Sequence, residues 1–228
     1  MTGVTALGVQ DVLAGINGRL PDWRKLAQPL AARFAGADAV RSAGFVAAVT
    51  REAAAAGYTI PDIRLEPGYV NVTLYTVHPE SGRRQVTDQE LERARAISAL
   101  AVEHGLRAVP DEVTQIELVL DAPSVAVSGP FWAALLTGDP DNTPVLDTVF
   151  DPTNRVPSTW FQHTEAHPAP RQRWHIDLWL APEAAQGRIA AALACGGTVF
   201  DDSHAPSYTV LADPDGNRVC VCTALGRV

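Results

Sequence analysis

The chain has 228 residues, 46% of them hydrophobic and 19% charged, a balance that excludes a disordered polypeptide and suits one large domain or two of about 100 residues. Its net charge is −8, and Lys25 is the single lysine among 18 lysines and arginines, which argues against unaided binding to a nucleic-acid backbone. No run reaches the roughly 18 apolar residues of a membrane span, and the start lacks the layout of a signal peptide, so a cytoplasmic protein without membrane partners is expected.

In chain order, Trp23, Leu26, Leu30 and Phe34 recur at helical spacing and predict a helix over 22–34, kinked or broken at Pro29. A second helix is predicted over 40–56, stopped by Gly57. Residues 68–77 alternate, with Val70, Val72 and Leu74 on one face, as a half-buried strand does. The turn residues Pro79-Glu80-Ser81-Gly82 end it, and Thr87-Asp88-Gln89-Glu90 reads as a capping box opening a helix that runs to Gly105.

After a linker over 107–113 the pattern restarts, which predicts domains over 1–106 and 114–228. Ile116, Leu118 and Leu120 alternate as a strand, and a short helix follows around 131–136. Ile176, Leu178 and Leu180 alternate in the same way before an alanine-rich helix over 183–194. Two strand-to-helix units about 60 residues apart indicate an internal duplication. Shorter strands are predicted over 145–150, 159–163, 198–201, 208–212 and 218–222, the last two joined by the turn Asp213-Pro214-Asp215-Gly216-Asn217. The fold class is therefore α+β. Cys195, Cys220 and Cys222 are odd in number and lack CxxC spacing, so neither a disulfide framework nor a zinc knuckle is predicted.

The segment 23–105 resembles the pterin-4a-carbinolamine dehydratase family, on Phe34, Phe45, the alanine-rich helix, Pro61-Asp62, Val70-Asn71-Val72-Thr73-Leu74 and Thr87-Asp88-Gln89-Glu90. The resemblance implies an antiparallel sheet with helices on one face. It also implies a His-His-Pro motif after the long helix and a third histidine at the end of the next strand, groups whose near-neutral pKa suits proton transfer. Here the motif reads Thr59-Ile60-Pro61, Val77 stands at the third histidine, and Ala55 stands where an acidic or polar residue precedes the motif. Glu90 takes the place of the family's aspartate but reads as a helix cap, and His78 reads as part of an exposed turn. The expectation is a degenerate dehydratase domain.

From Thr114 onward the chain resembles the glyoxalase and bleomycin-resistance superfamily, on Phe131-Trp132, Trp160-Phe161-Gln162, Trp174-His175-Ile176-Asp177-Leu178 and the closing Leu211-Ala212-Asp213-Pro214-Asp215-Gly216-Asn217. The resemblance implies paired βαβββ modules curled round a cup. If Leu118, Leu120, Ile176 and Leu178 pack under the helices, strand alternation sends Glu117, Asp121, His175, Asp177 and Trp179 to the cup face. The resemblance implies Glu117, His175 and Cys220 as the ligands if the cup holds a divalent metal. The expectation is a metal-free cup in which His175 hydrogen-bonds Glu117 or Asp177, with no cofactor. Trp132, Trp160, Gln162, Trp179, Tyr208 and Cys220 are the candidate substrate contacts, with Arg173 and His204 further cup candidates. His163, His167 and His204 lie in polar, proline-containing segments and read as solvated.

Three functions compete at this point. The first is isomerase, cyclase or lyase chemistry on a small molecule, with His175, Glu117 and Asp177 as the catalytic group. The second is a non-catalytic small-molecule binding or resistance protein, and the third an active 4a-hydroxytetrahydrobiopterin dehydratase. In the second the dehydratase-like half mainly serves assembly, and a homo-oligomer is expected.

Overall fold

The computed structural model describes residues 5–36, 38–60, 62–113, 115, 117–165, 176–179 and 182–222. The chain divides into two units, Met1–Gln115 and Ile116–Val228.

In the first unit a short helix, α1 (Val9–Ile16), precedes strands β1 (Trp23–Lys25) and β2 (Leu30–Ala35). Residues 22–34 are thus a hairpin and not the expected helix. Trp23 pairs with Ala32 across antiparallel strands, and Leu26 N–H bonds the Pro29 carbonyl at 3.0 Å. The positions that suggested a helical stripe also contain a period of two, Leu30, Ala32 and Phe34, and all three are buried in the core. Pro29 turns the chain because it has no N–H to extend a helix.

Helix α2 (Ala39–Ala55) starts where the Asp38 side chain accepts from Arg41 N–H. Strands β3 (Asp62–Glu66) and β4 (Tyr69–Leu74) follow, then the short pair β5 (Thr76–Val77) and β6 (Arg84–Gln85). Helix α3 (Asp88–Glu103) opens with the expected capping box, both of whose reciprocal bonds are present. Strand β7 (Arg107–Ala108) pairs with Phe34 and Ala35, so the stretch expected as a linker contributes to the first sheet. The sheet runs β1-β2-β4-β3, with β7 also on β2. Its buried face meets Phe45 and Val49 of α2 and Leu91, Ala94 and Ile97 of α3 in one core.

The second unit starts with β8 (Glu117–Ala122), α4 (Val125–Thr137), β9 (Thr148–Val149) and β10 (Ser158–His163). It continues with β11 (Ile176–Trp179), α5 (Pro182–Ala194), β12 (Thr198–Asp201), β13 (Tyr208–Ala212) and β14 (Arg218–Cys222). The sheet orders, β8-β10-β9 and β11-β14-β13-β12, repeat one design: the first strand lies parallel to the last, and the last pairs antiparallel with the strand before it. The second module has the full βαβββ order; in the first, two strands follow the helix together with an isolated bridge, Val145 to Thr148.

Phe131, Trp132 and Leu135 of α4 and Ile189 and Ala192 of α5 share a core with Phe161, Leu178, Leu211, Val219 and Val221 from both sheets. The carbonyl end of α4 is closed by two arginines: Arg188 donates to the Leu135 and Leu136 carbonyls at 2.6 and 3.2 Å, and Arg155 to the Thr137 carbonyl at 2.7 Å. Gly138 ends the helix at φ 77°, and a Cβ there would meet the Arg188 guanidinium. Among the described residues no helix is long and apolar enough to cross a membrane.

Candidate functional site

In the first sheet of the second unit, the two-residue period of β8 and β10 separates a core face from an outer one, which is exposed at Val119, Asp121, Trp160 and Gln162 and covered at Ser158. Leu120, Ala122 and Phe161 belong to the helix-covered core. The opposite face carries three register pairs, Glu117 with Ser158, Val119 with Trp160 and Asp121 with Gln162. Ser158 Oγ donates to Glu117 Oε1 at 2.8 Å, which fixes a half-buried carboxylate at the start of the first strand. Trp160 Nε1 donates to Asp147 Oδ2 at 2.9 Å, and Thr148 Oγ1 holds the other oxygen of Asp147 at 2.9 Å. The indole is therefore anchored at its edge yet 36% exposed, and Val119 beside it is 51% exposed. Leu146, at φ 60°, turns the chain so that Asp147 reaches Trp160. Alternation placed Glu117 and Asp121 on this face, and Trp160 and Gln162 were candidate contacts, but sequence reasoning missed Asp147.

In the second sheet, Ile176, Leu178, Val219 and Val221 pack into the core, as alternation predicts. Register sets Asp177 beside Cys220, and Trp179 beside Cys222, which in turn pairs with Tyr208. Cys220 is half-buried, between two buried valines in the strand. The Tyr208 ring stacks on His204 with centroids 4.7 Å apart, and Arg218 lies 3.5 Å over the Phe200 ring. His175, the centre of the expected catalytic group, lies outside the described residues, as do Arg173 and His167. Among the described residues no group of three His, Cys, Asp or Glu stands close enough to hold a metal ion; the expected set of Glu117, His175 and Cys220 falls partly outside them.

Trp132 occupies a different place from the cup wall expected for it. It is fully buried in α4, and its Nε1 donates to Asp213 Oδ2 at 2.9 Å. Asp213 also accepts from the backbone of Asp215 and Asn217 at 3.0 and 2.8 Å and from Asn217 Nδ2 at 2.9 Å. Ser128 Oγ donates to Asp215 Oδ2. The Asp-Pro-Asp-Gly-Asn turn is thus a clasp between the β13–β14 hairpin and α4. Helix α4 is buried from Ser128 to Thr137 on almost every side, which is why its tryptophan has no ligand face.

In the first unit, the degenerate dehydratase positions Thr59 and Val77 are exposed, and Ile60 packs against the core; Pro61 lies outside the described residues. Around them runs a polar chain that sequence reasoning did not find. Tyr58 donates to Glu52, Arg93 lies 4.1 Å over the Tyr58 ring, and Arg93 donates to Glu90. Fully buried Glu90 also accepts from Thr76 Oγ1 at 2.9 Å, Thr87 N–H at 2.9 Å and Thr87 Oγ1 at 2.7 Å. Four donors fill the acceptor sites of a carboxylate, so Glu90 has no capacity left for a substrate proton. Burial, then the bond to Glu52 and its charge, pushes the Tyr58 phenol well above its usual range, so it stays protonated. His78 Nδ1 accepts from Ser81 N–H in an exposed turn, the structural place expected of it.

A groove of about 670 Å³ also opens in this unit, between α1 and β1, lined by Leu13, Ile16, Leu20, Pro21 and Trp23. Its one charged lining group, Arg24, donates to the carbonyls of Pro21 and Trp23. It therefore holds none of the acid, thiol or imidazole groups that chemistry would need.

Residues 117–222 match the family described as a glyoxalase-like domain. The second unit is a glyoxalase-like domain. Among solved structures, a transcriptional coactivator/pterin dehydratase from Brucella melitensis is similar at 25% identity and a TM-score of 0.37, over 42% of this chain and 99% of that one. A hypothetical protein from S. aureus is similar at 15% identity and a TM-score of 0.36, over 49% of this chain and 98% of that one. No curated protein matches the chain.

Proposed function

We propose that the glyoxalase-like domain acts on a small organic molecule, by isomerisation, cyclisation or elimination, and that the first unit supports it without chemistry of its own. The observation that carries this reading is the outer face of β8 and β10, where Ser158 fixes the half-buried Glu117 carboxylate next to the exposed, edge-anchored indole of Trp160. A held carboxylate and an accessible aromatic plane supply the two needs of such a site, a group that orients protons and a wall that binds carbon. In this reading His175 takes a proton from the substrate and returns it, and Glu117 or Asp177 fixes its tautomer. Trp179, Tyr208, Gln162 and Cys220 complete the contacts, and no metal is required.

A second reading, a binding or resistance protein, is favoured by Trp160 itself, which needs no chemistry to hold a planar ligand. The saturated Glu90 weighs against the third, an active dehydratase. A ligand-observed magnetic resonance screen of the full chain against a metabolite collection tests both surviving readings. A ligand that is bound and consumed supports the enzyme, one bound and unchanged supports the binding protein, and in both cases His175→Ala weakens binding or turnover at least tenfold, about 1.4 kcal/mol.

A further inference from the structure

The outer face of β8 and β10 has a charge as well as a shape. Glu117 and Asp121 lie two and two residues either side of Val119 on one strand, and Asp147 sits at the indole edge of Trp160. Side chains two apart on a strand are about 6.6 Å apart and neighbouring strands about 4.8 Å apart, so both β8 carboxylates lie within reach of a small molecule resting on Trp160 and Val119. The strands β8, β9 and β10 contain no lysine or arginine. The floor of the face is apolar and aromatic, and every ionised group on these three strands that shares the face is negative.

We propose that the ligand of this face is a planar organic cation, an aromatic ring system carrying a positive nitrogen, laid against the Trp160 indole with its charge toward Glu117 or Asp121. The inference rests on the reading of this face as the ligand site and adds the charge class of the ligand. An indole attracts a cation through the negative face of its π system, and the carboxylates add Coulomb attraction that salt weakens. An anionic ligand would meet the same carboxylates as repulsion. The Asp147 bond turns the indole edge away from the ligand and leaves the ring plane as the contact surface.

The test titrates the full chain with three probes of one shape at pH 8: N-methylacridinium, neutral acridine and acridine-9-carboxylate. The expected result is that the cation binds at least tenfold more tightly than the other two, that added salt reduces this preference, and that Asp121→Asn and Trp160→Leu each weaken it. Equal binding of cation and neutral probe, lost in Trp160→Leu, would overturn the charge assignment and leave the site standing. Binding of the carboxylate as tight as that of the cation, or no binding of any probe, would also overturn it. Binding of all three that is indifferent to Trp160→Leu would overturn the site and the charge assignment together.

Discussion

Trp132 and Asp213, 81 residues apart, are joined by a 2.9 Å bond from a fully buried indole N–H to a carboxylate that also organises its own turn. This bond ties the last hairpin of the glyoxalase-like domain to its first helix. Removing the carboxylate strands a buried donor, which costs about 1–3 kcal/mol, and it also unseats the turn. Asp213→Ala is expected to lower the melting temperature at roughly 4–8 °C per kcal/mol for a domain of this size. Asp213→Asn, which keeps one carbonyl acceptor, loses less. Equal melting temperatures for Asp213→Ala and the unaltered chain would contradict the clasp.

How far the sequence revealed this arrangement depended on which physical signal each part emits. The strands β13 and β14 read directly, because Leu211, Val219 and Val221 are buried at two-residue spacing. The hairpin at 23–35 did not, because Trp23, Leu26, Leu30 and Phe34 satisfy a helical period as well as parts of a strand period. Helix α1 carries a short helical stripe, Val9, Val12, Leu13 and Ile16, that the reading of the sequence passed over, and Val12 is its one buried residue. In the candidate site, Glu117 was legible from alternation alone. Asp147 was not: its bond to Trp160 depends on the left-handed turn at Leu146, which no pattern of hydrophobicity marks.

The first unit should show no dehydratase chemistry. A stopped-flow assay of 4a-carbinolamine dehydration is expected to give a rate more than tenfold below an authentic dehydratase. Glu90→Gln should destabilise the unit by about 1–3 kcal/mol, because an amide presents N–H groups where the carboxylate accepts four donors. A dehydration rate within tenfold of the control, or an unchanged denaturation midpoint for Glu90→Gln, would refute this account of the site.

Stability should fall in acid through Asp151. Burial alone would raise its pKa, but bonds from Arg155 and Thr153 together outweigh burial and hold it below the ordinary value of 3.8. The folded state thus favours the ionised form, and this stabilisation is present above pH 3.8 and is lost as the pH falls through the lower folded value. Asp151→Asn is expected to melt below the unaltered chain at pH 7, with a gap that holds until the pH nears 3.8 and narrows below it. A gap that stays constant there would contradict the assignment.

Self-association is a further expected outcome. Among the described residues β3 and β12 end their sheets, and the exposed Leu65, Val199 and Phe200 on them leave apolar edges that a second copy can cover. Light scattering is expected to give the mass of a dimer or tetramer. A strictly monomeric mass at tens of micromolar would remove the assembly role proposed for the first unit.

The central claim is that ligand recognition resides in the glyoxalase-like domain and not in the first unit. The most direct measurement takes the ligand found by screening and compares its affinity for the full chain with that for His175→Ala, Trp160→Ala, Tyr58→Phe and the groove variant Leu13→Arg. The account predicts at least tenfold weaker binding in the first two, about 1.4 kcal/mol, and unchanged binding in the last two. Loss of binding in Tyr58→Phe or Leu13→Arg, with His175→Ala and Trp160→Ala unaffected, would contradict it.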